Sequence, residues 1–183
     1  MAFAPTAFTL SCHSSSPARR VEAVSGRITP DGDGLRLRWR IDGAQELVVP
    51  AFAGKGRADN LWQTTCFELF IGHDGREGYS EFNLSPSERW AAYDFTARRV
   101  GMCERPMPHE PTCTMRVGES MAIFDACVPL AGLPEWPWLC GVSAVIEERD
   151  GQRSYWALEH FGAAPDFHDP ACFTLALAAP QRP

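Results

Sequence analysis

Three runs decide how this chain folds: Cys66-Phe-Glu-Leu-Phe-Ile71, Tyr79-Ser-Glu-Phe-Asn-Leu84 and Arg89-Trp-Ala-Ala-Tyr-Asp-Phe95. Each is short, rich in aromatic and aliphatic residues, and bounded by turn residues, Gly72-His-Asp-Gly75 through Gly78 and then Ser85-Pro-Ser87. This pattern predicts three consecutive antiparallel strands. The first run is apolar on both parities except at Glu68, as in a central strand covered on both faces. A carboxylate there must be paired or must face a cavity. In the second run Tyr79, Glu81 and Asn83 share one face, and Ser80, Phe82 and Leu84 the other. In the third, Trp90, Ala92 and Asp94 oppose Ala91, Tyr93 and Phe95. With Trp90 on the polar side, Glu68, Glu81, Asn83 and Trp90 would meet on one surface. Trp62 lies on the loop leading into it.

Working outward, the remaining segments read as further short strands. Ala7–Cys12 alternates, and Arg20–Thr29 follows with a bulge expected at Val24-Ser-Gly26. Asp31-Gly-Asp-Gly34 resembles the start of a calcium loop, but no Glu closes it, so a hairpin turn is favoured. Gly34–Asp42 has strict period two: Leu35, Leu37, Trp39 and Ile41 face the core, and Arg36, Arg38 and Arg40 face outward, where a solvated surface is expected. Strands are also expected at Glu46–Val49, Thr112–Val117, Met121–Val128, Leu139–Arg149, Ser154–His160 and Cys172–Leu177. Ala51–Ala58 and Gly101–Pro111 read as loops, and Pro129–Pro137 as a connector with one helical turn. Arg182 and Pro183 end a frayed tail. The expectation is an all-β chain: an antiparallel β-sandwich, jelly-roll-like, of about ten to twelve strands with little helix, forming a single domain over 1–183.

Composition narrows the function classes. The chain has 183 residues, 45% hydrophobic and 22% charged, with a net charge of −6. Lys55 is the only lysine. An acidic chain with scattered arginines argues against nucleic acid, which needs clustered cationic side chains. No stretch reads as a signal peptide or membrane helix, so no membrane partner and a cytoplasmic location are expected. Seven cysteines occur without a Cys-x-x-Cys pair, which disfavours zinc and points to buried, reduced thiols.

Carboxylates and an amide beside an indole suit a polyhydroxylated ligand. The acids accept hydrogen bonds from hydroxyls, and the ring stacks on the C–H face of a sugar. The alternative is structural: Glu68 and Glu81 could pair with Arg38, Arg40 or Arg57 inside the fold. A second cluster, His160, Asp166, His168 and Asp169, falls within one short loop. It could bind ligand or metal, or merely cap the loop. Two neighbouring carboxylates also admit a glycan hydrolase. No Gly-x-Ser-x-Gly and no phosphate-binding glycine motif is present.

Asp59-Asn-Leu-Trp62, Cys66-Phe-Glu-Leu-Phe-Ile71, Tyr79-Ser-Glu-Phe-Asn-Leu-Ser-Pro86 and Trp90-Ala-Ala-Tyr-Asp94 together resemble the DOMON-like superfamily. They come closest to its bacterial cytosolic branch, which is similar to family 9 carbohydrate-binding modules. Pro165-Asp-Phe-His168 with Cys172-Phe-Thr-Leu175 resembles the end of that branch. The resemblance implies a β-sandwich of about ten strands that binds a ligand, sugar or haem, without catalysis. It places Trp62, Glu68, Glu81 and Asn83 near the ligand face. Haem-binding relatives use a Met and a His, whereas Met102, Met107 and His109 fall in a Pro-rich loop here. The expected site is therefore Trp62, Glu68, Tyr79, Glu81, Asn83, Trp90, His160, Asp166 and His168, with a carbohydrate or similar small polar ligand. No cofactor is expected, haem and calcium being the alternatives.

Overall fold

The computed structural model describes residues 5–32 and 34–177. The expected tail at Arg182 and Pro183, and Asp33 of the first hairpin turn, lie outside the described residues. Among the described residues thirteen strands form: β1 (Thr6–Cys12), β2 (Ala23–Asp31), β3 (Gly34–Asp42), β4 (Gly56–Arg57), β5 (Cys66–Gly72), β6 (Tyr79–Leu84), β7 (Arg89–Phe95), β8 (Cys103–Glu104), β9 (Thr112–Val117), β10 (Met121–Pro129), β11 (Trp138–Glu147), β12 (Arg153–Ala157) and β13 (Leu175–Leu177). The described helical pieces are four 3-10 turns of three residues each. The all-β expectation holds.

The strands make one continuous sheet in the order β4-β7-β6-β5-β11-β12-β1-β2-β3-β10-β9, with β13 added to β11 and β8 to β7. Strand β1 joins the two halves. Thr6 to Leu10 pair with β2, while Ser11 and Cys12 pair with β12. The sheet curls so that its halves face one another. Trp39 of β3 lies 5.2 Å from Phe67 of β5, and Phe67 stacks at 4.2 Å on Phe124 of β10. The apolar parity of each strand points into this core, including Leu35, Leu37 and Ile41 on one half and Leu69, Ile71, Phe82 and Leu84 on the other.

Several expectations change. The sheet is not strictly antiparallel, because β4 runs parallel to β7 within what reads as a loop. Strand β8 likewise interrupts the Gly101–Pro111 loop. Glu46–Val49 is not a strand: Ala44–Glu46 is a 3-10 turn entered through left-handed Gly43, leaving one bridge from Leu47 to Glu148. The expected last strand begins only at Leu175, after a 3-10 turn at Pro170–Cys172. Strand β2 carries no bulge, since its register with β1 and β3 is unbroken. Gly26 interrupts the apolar alternation for another reason. A Cβ there would lie 1.9 Å from the Arg38 carbonyl and 2.5 Å from the Phe8 ring. The glycine makes room for Phe8 to lie across the sheet.

The arginine face of β3 is partly exposed, as expected, but it is also ion-paired. Arg38 grips Asp125 of β10 with two hydrogen bonds of 2.6 and 3.0 Å, and Arg40 holds Asp42. All seven cysteines are free of disulfides, and Cys66, Cys113, Cys140 and Cys172 are buried.

Candidate functional site

The outer face of β5, β6, β7, β11 and β12 carries the site. Register sets it. Glu68 sits opposite Asn83 on one side and Ser143 on the other. Glu81 sits opposite Phe70 and Tyr93. Val145 faces Tyr155. All these residues project from the sheet face opposite the main core. Part of this face is closed by Phe70, Tyr79, Phe95, Phe167 and Phe173, a second apolar cluster. The uncovered part is a cavity of about 880 Å³ with Glu68, Glu81 and Asn83 at its floor.

The roof comes from two distant segments. Arg98 and Arg99 both bind Asp166, Arg98 at 2.6 Å and Arg99 at 2.9 Å, and Arg98 also reaches Asp169 at 2.9 Å. These pairs clamp the 161–170 loop against the 97–100 turn. The arginines hold the Asp166 carboxyl below its ordinary value despite partial burial. The Asp166 carboxylate also accepts from the His168 backbone N–H at 3.0 Å, which fixes where the imidazole enters the cavity. Tyr79 Oη accepts from the Arg99 N–H at 3.2 Å and lies 2.7 Å from His168 Nδ1. With that hydroxyl donating to Nδ1, the ring proton sits on Nε2, 3.8 Å from Glu81. Burial and the nearby Arg99 push His168 down to about 4. The imidazole is therefore neutral at pH 7, and the Glu81 contact is not an ion pair.

Glu68 and Glu81 are 3% and 6% exposed. Ser143 Oγ donates to Glu68 at 3.3 Å, and Asn83 Nδ2 donates to Glu81 at 2.7 Å. Burial, and for Glu68 the negative charge of Glu81, raises both above the usual carboxylate range. Asn83 Oδ1 is buried with no hydrogen-bond partner. Glu148 provides the contrast. It is 1% exposed, and its carboxylate accepts from the backbone N–H groups of Arg19, Arg20 and Val21 at 2.7, 2.6 and 3.3 Å. That is how this fold buries a structural carboxylate. Glu68 and Glu81 lack such a cage, and none of the arginines offered as partners reaches them. Arg38 and Arg40 lie on the other half of the sheet, and Arg57 faces Glu104 at 3.4 Å.

The expected site is met in part. Trp62, Glu68, Glu81, Asn83 and His168 line the cavity. Trp90 does not. The β6–β7 register pairs it with Leu84, which turns it into the main core, and Tyr93 takes the place beside Glu81. Tyr79 supports His168 from below rather than lining the wall. His160 is diverted: its Nε2 lies 2.9 Å from the Ser11 carbonyl and its ring packs edge-on against His13. Asp166 acts through the arginine clamp. Sequence reasoning missed Tyr93, Tyr155 and Arg99. Parity offered Tyr93 once the turn had fixed the register; nothing local offered Arg99. Tyr93 hydroxyl donates to Asp59, and the Arg57 guanidinium lies 5.1 Å from the Tyr93 ring centroid. Among the described residues, no group of three or more His, Cys, Asp or Glu side chains is placed to hold a metal ion.

This backbone is similar to two solved structures. A candidate carbohydrate-binding protein from Bacteroides uniformis superposes with a TM-score of 0.65 at 17% identity, over 92% of this chain and 84% of that one. A family 9 carbohydrate-binding module from Caldicellulosiruptor kristjanssonii, solved in complex with cellotriose, superposes at 0.53 with 11% identity, over 90% and 79%. At these identities the likeness is one of fold. No family model and no curated protein matches the chain.

A second concavity of about 630 Å³ lies on the outer face of the opposite half-sheet, where Arg27, Arg36, Arg38 and Arg116 surround Asp125. Its charge is opposite to that of the first.

Proposed function

We propose that the chain is a non-catalytic module that binds a carbohydrate or similar small polyhydroxylated ligand in the Glu68–Glu81–Asn83 cavity. The observation that carries this is the floor itself: buried acceptors with no arginine or lysine paired to them among the described residues, one of them unpartnered, under aromatic side chains. Sugar hydroxyls would satisfy Glu68, Glu81 and Asn83 Oδ1, while Tyr93, Tyr155 and half-exposed Trp62 would cover the C–H faces. The fold likeness to a candidate carbohydrate-binding protein and to a cellotriose-bound module supports it. The finer placement, a DOMON-like sandwich module of a bacterial cytoplasm, rests on the motifs from Asp59 to Asp94 and Pro165 to Leu175. Isothermal titration against a panel of neutral mono- and oligosaccharides tests the function. Binding lost in Trp62→Ala and Asn83→Ala is the expected result; no binding by any sugar overturns it.

A hydrolase reading draws on two carboxylates of raised pKa in one cavity. Turnover of a chromogenic glycoside that vanishes in Glu68→Gln would establish it in place of binding alone. The residues do not suit haem. Met102 and His168 line the same cavity, but the imidazole is held between Tyr79 and Glu81, and the floor is acidic where haem would bring further carboxylates.

A further inference from the structure

The carbohydrate reading leaves open which sugars the cavity selects, and its donor and acceptor balance addresses that. At the floor, the unsatisfied capacity is that of acceptors. Asn83 commits its amide N–H to Glu81, leaving Oδ1 without a donor. Glu68 receives one hydroxyl, from Ser143. The other charged groups around the cavity are already engaged. Arg99 is held by Asp166, Glu104 faces Arg57, Asp59 takes the Tyr93 hydroxyl, and His168 is neutral. Glu68 and Glu81 are thus buried acids in one cavity with no arginine or lysine paired to either among the described residues; the charge of Arg99, itself held by Asp166, reaches both without offsetting their burial. A neutral hydroxyl satisfies such a floor poorly, since it brings one donor and two acceptor lone pairs. An ammonium brings three donors, no acceptor and a positive charge, and the walls of Tyr93, Tyr155 and Trp62 add aromatic faces that attract cations.

We propose that the cavity selects an amino sugar, a saccharide unit carrying a free protonated amine seated between Glu68, Glu81 and Asn83 Oδ1, over its neutral or N-acetylated counterparts. This rests on the carbohydrate reading of the same cavity. It has a proton balance of its own. In the free protein burial and mutual repulsion keep a proton on the carboxylate pair near neutrality. A bound ammonium favours the doubly ionised pair, so the protons the pair holds leave to solvent while the ligand stays protonated.

The test is isothermal titration of the full chain with glucosamine, glucose and N-acetylglucosamine and their β-1,4-linked dimers, slightly below neutral pH, in two buffers of different ionisation enthalpy. Expected is at least roughly tenfold tighter binding of the amine-bearing ligands, as charge-assisted hydrogen bonds provide, with proton release seen only for them. Glu68→Gln and Glu81→Gln should weaken the amine-bearing ligands more than the neutral sugars and so remove that preference. Trp62→Ala should weaken all ligands alike. Equal affinity for amine and neutral sugars, with no proton release, overturns the selectivity and leaves carbohydrate binding standing. Loss of every ligand equally in both glutamine variants does the same, by making the acids general hydroxyl acceptors. No binding of any sugar overturns both. The wild-type comparison decides even if a variant fails to fold.

Discussion

Glu68 shows most directly what a single residue does here. Its carboxyl is buried, and the charge of Arg99 does not offset that burial and the repulsion of Glu81, so ionising it opposes folding. The sign follows from linkage. The folded value lies above the unfolded one, so stability is fully present below about 4.5 and falls as pH rises through the folded value of about 8. His168 works the other way. Its folded value lies below the unfolded 6.5, so stability falls as pH drops from there toward about 4. The two effects overlap in acid and separate above 6.5. Between about pH 6.5 and 8 the ligand-free protein is therefore expected to lose melting temperature, and Glu68→Gln to flatten that slope and match or exceed wild type at the alkaline end. Thermal denaturation monitored by circular dichroism across that range checks it. A wild-type slope retained in Glu68→Gln would place the titrating group elsewhere. At this scale much of the site was legible. A Glu in a strand apolar on both faces is costly unless it serves something, and the sequence showed Glu68, Glu81 and Asn83 as out of place for that reason. Trp90 was misassigned because choosing its face needs the β6–β7 register, set by the Ser85–Glu88 turn and invisible to alternation alone.

Elements add what single residues cannot. The cavity's roof depends on the pairing of the 97–100 turn with the 161–170 loop, segments far apart in sequence and held by exposed ion pairs. Such pairs contribute little to global stability but fix local geometry. Asp166→Asn is expected to leave the melting temperature near wild type while raising amide exchange in Phe161–Asp169 and weakening ligand binding, as hydrogen–deuterium exchange and titration would show. Unchanged exchange in that loop would mean that the aromatic packing of Phe167 and Phe173 holds the roof unaided. Strand β2 makes the complementary point about rigid elements. Gly26→Ala puts a methyl against backbone that cannot retreat without breaking the β2–β3 ladder. It is expected to cost about 1–3 kcal/mol, the range for overpacking, measurable by urea denaturation. The sequence showed an irregularity at Gly26 but not its cause. Bulge and close approach look alike in one strand, and only the neighbouring strands, through the unbroken register, the Arg38 carbonyl and the Phe8 ring, distinguish them. The strand ends near His160 and Cys172 were misplaced for a similar reason, because tertiary contacts stop those ladders before the apolar pattern ends.

For the molecule as a whole, the decisive fact is that one sheet supplies both walls of the core. A chain with two separable sheets could lose one and keep the other. Here β1 hydrogen-bonds β2 along Thr6–Leu10 and β12 through Ser11 and Cys12, and no other described strand joins the halves edge to edge. The ligand half and the arginine-bearing half are also locked face to face through Trp39, Phe67 and Phe124. The two concavities point outward in opposite directions, acidic on one half and arginine-rich on the other, while the inner faces share a single apolar layer. Alternation along each strand predicted that layer; it could not predict a shared hinge, because strand order is a property of contacts distant in sequence. The hinge makes a testable demand. Leu10 sits on β1 with its side chain buried in the common core. Leu10→Ala removes apolar contacts that both halves use and leaves a cavity at the junction, an expected cost of about 2–5 kcal/mol. The loss should come as one cooperative transition. Tryptophan fluorescence, to which the buried Trp39 and Trp138 contribute, and far-ultraviolet circular dichroism, which reports the whole sheet, should agree with each other on one denaturation midpoint within each protein, the variant's being lower. Two separated midpoints in Leu10→Ala would show that the halves hold together independently of β1, and would make the strand a tether rather than the joint through which one half stabilises the other.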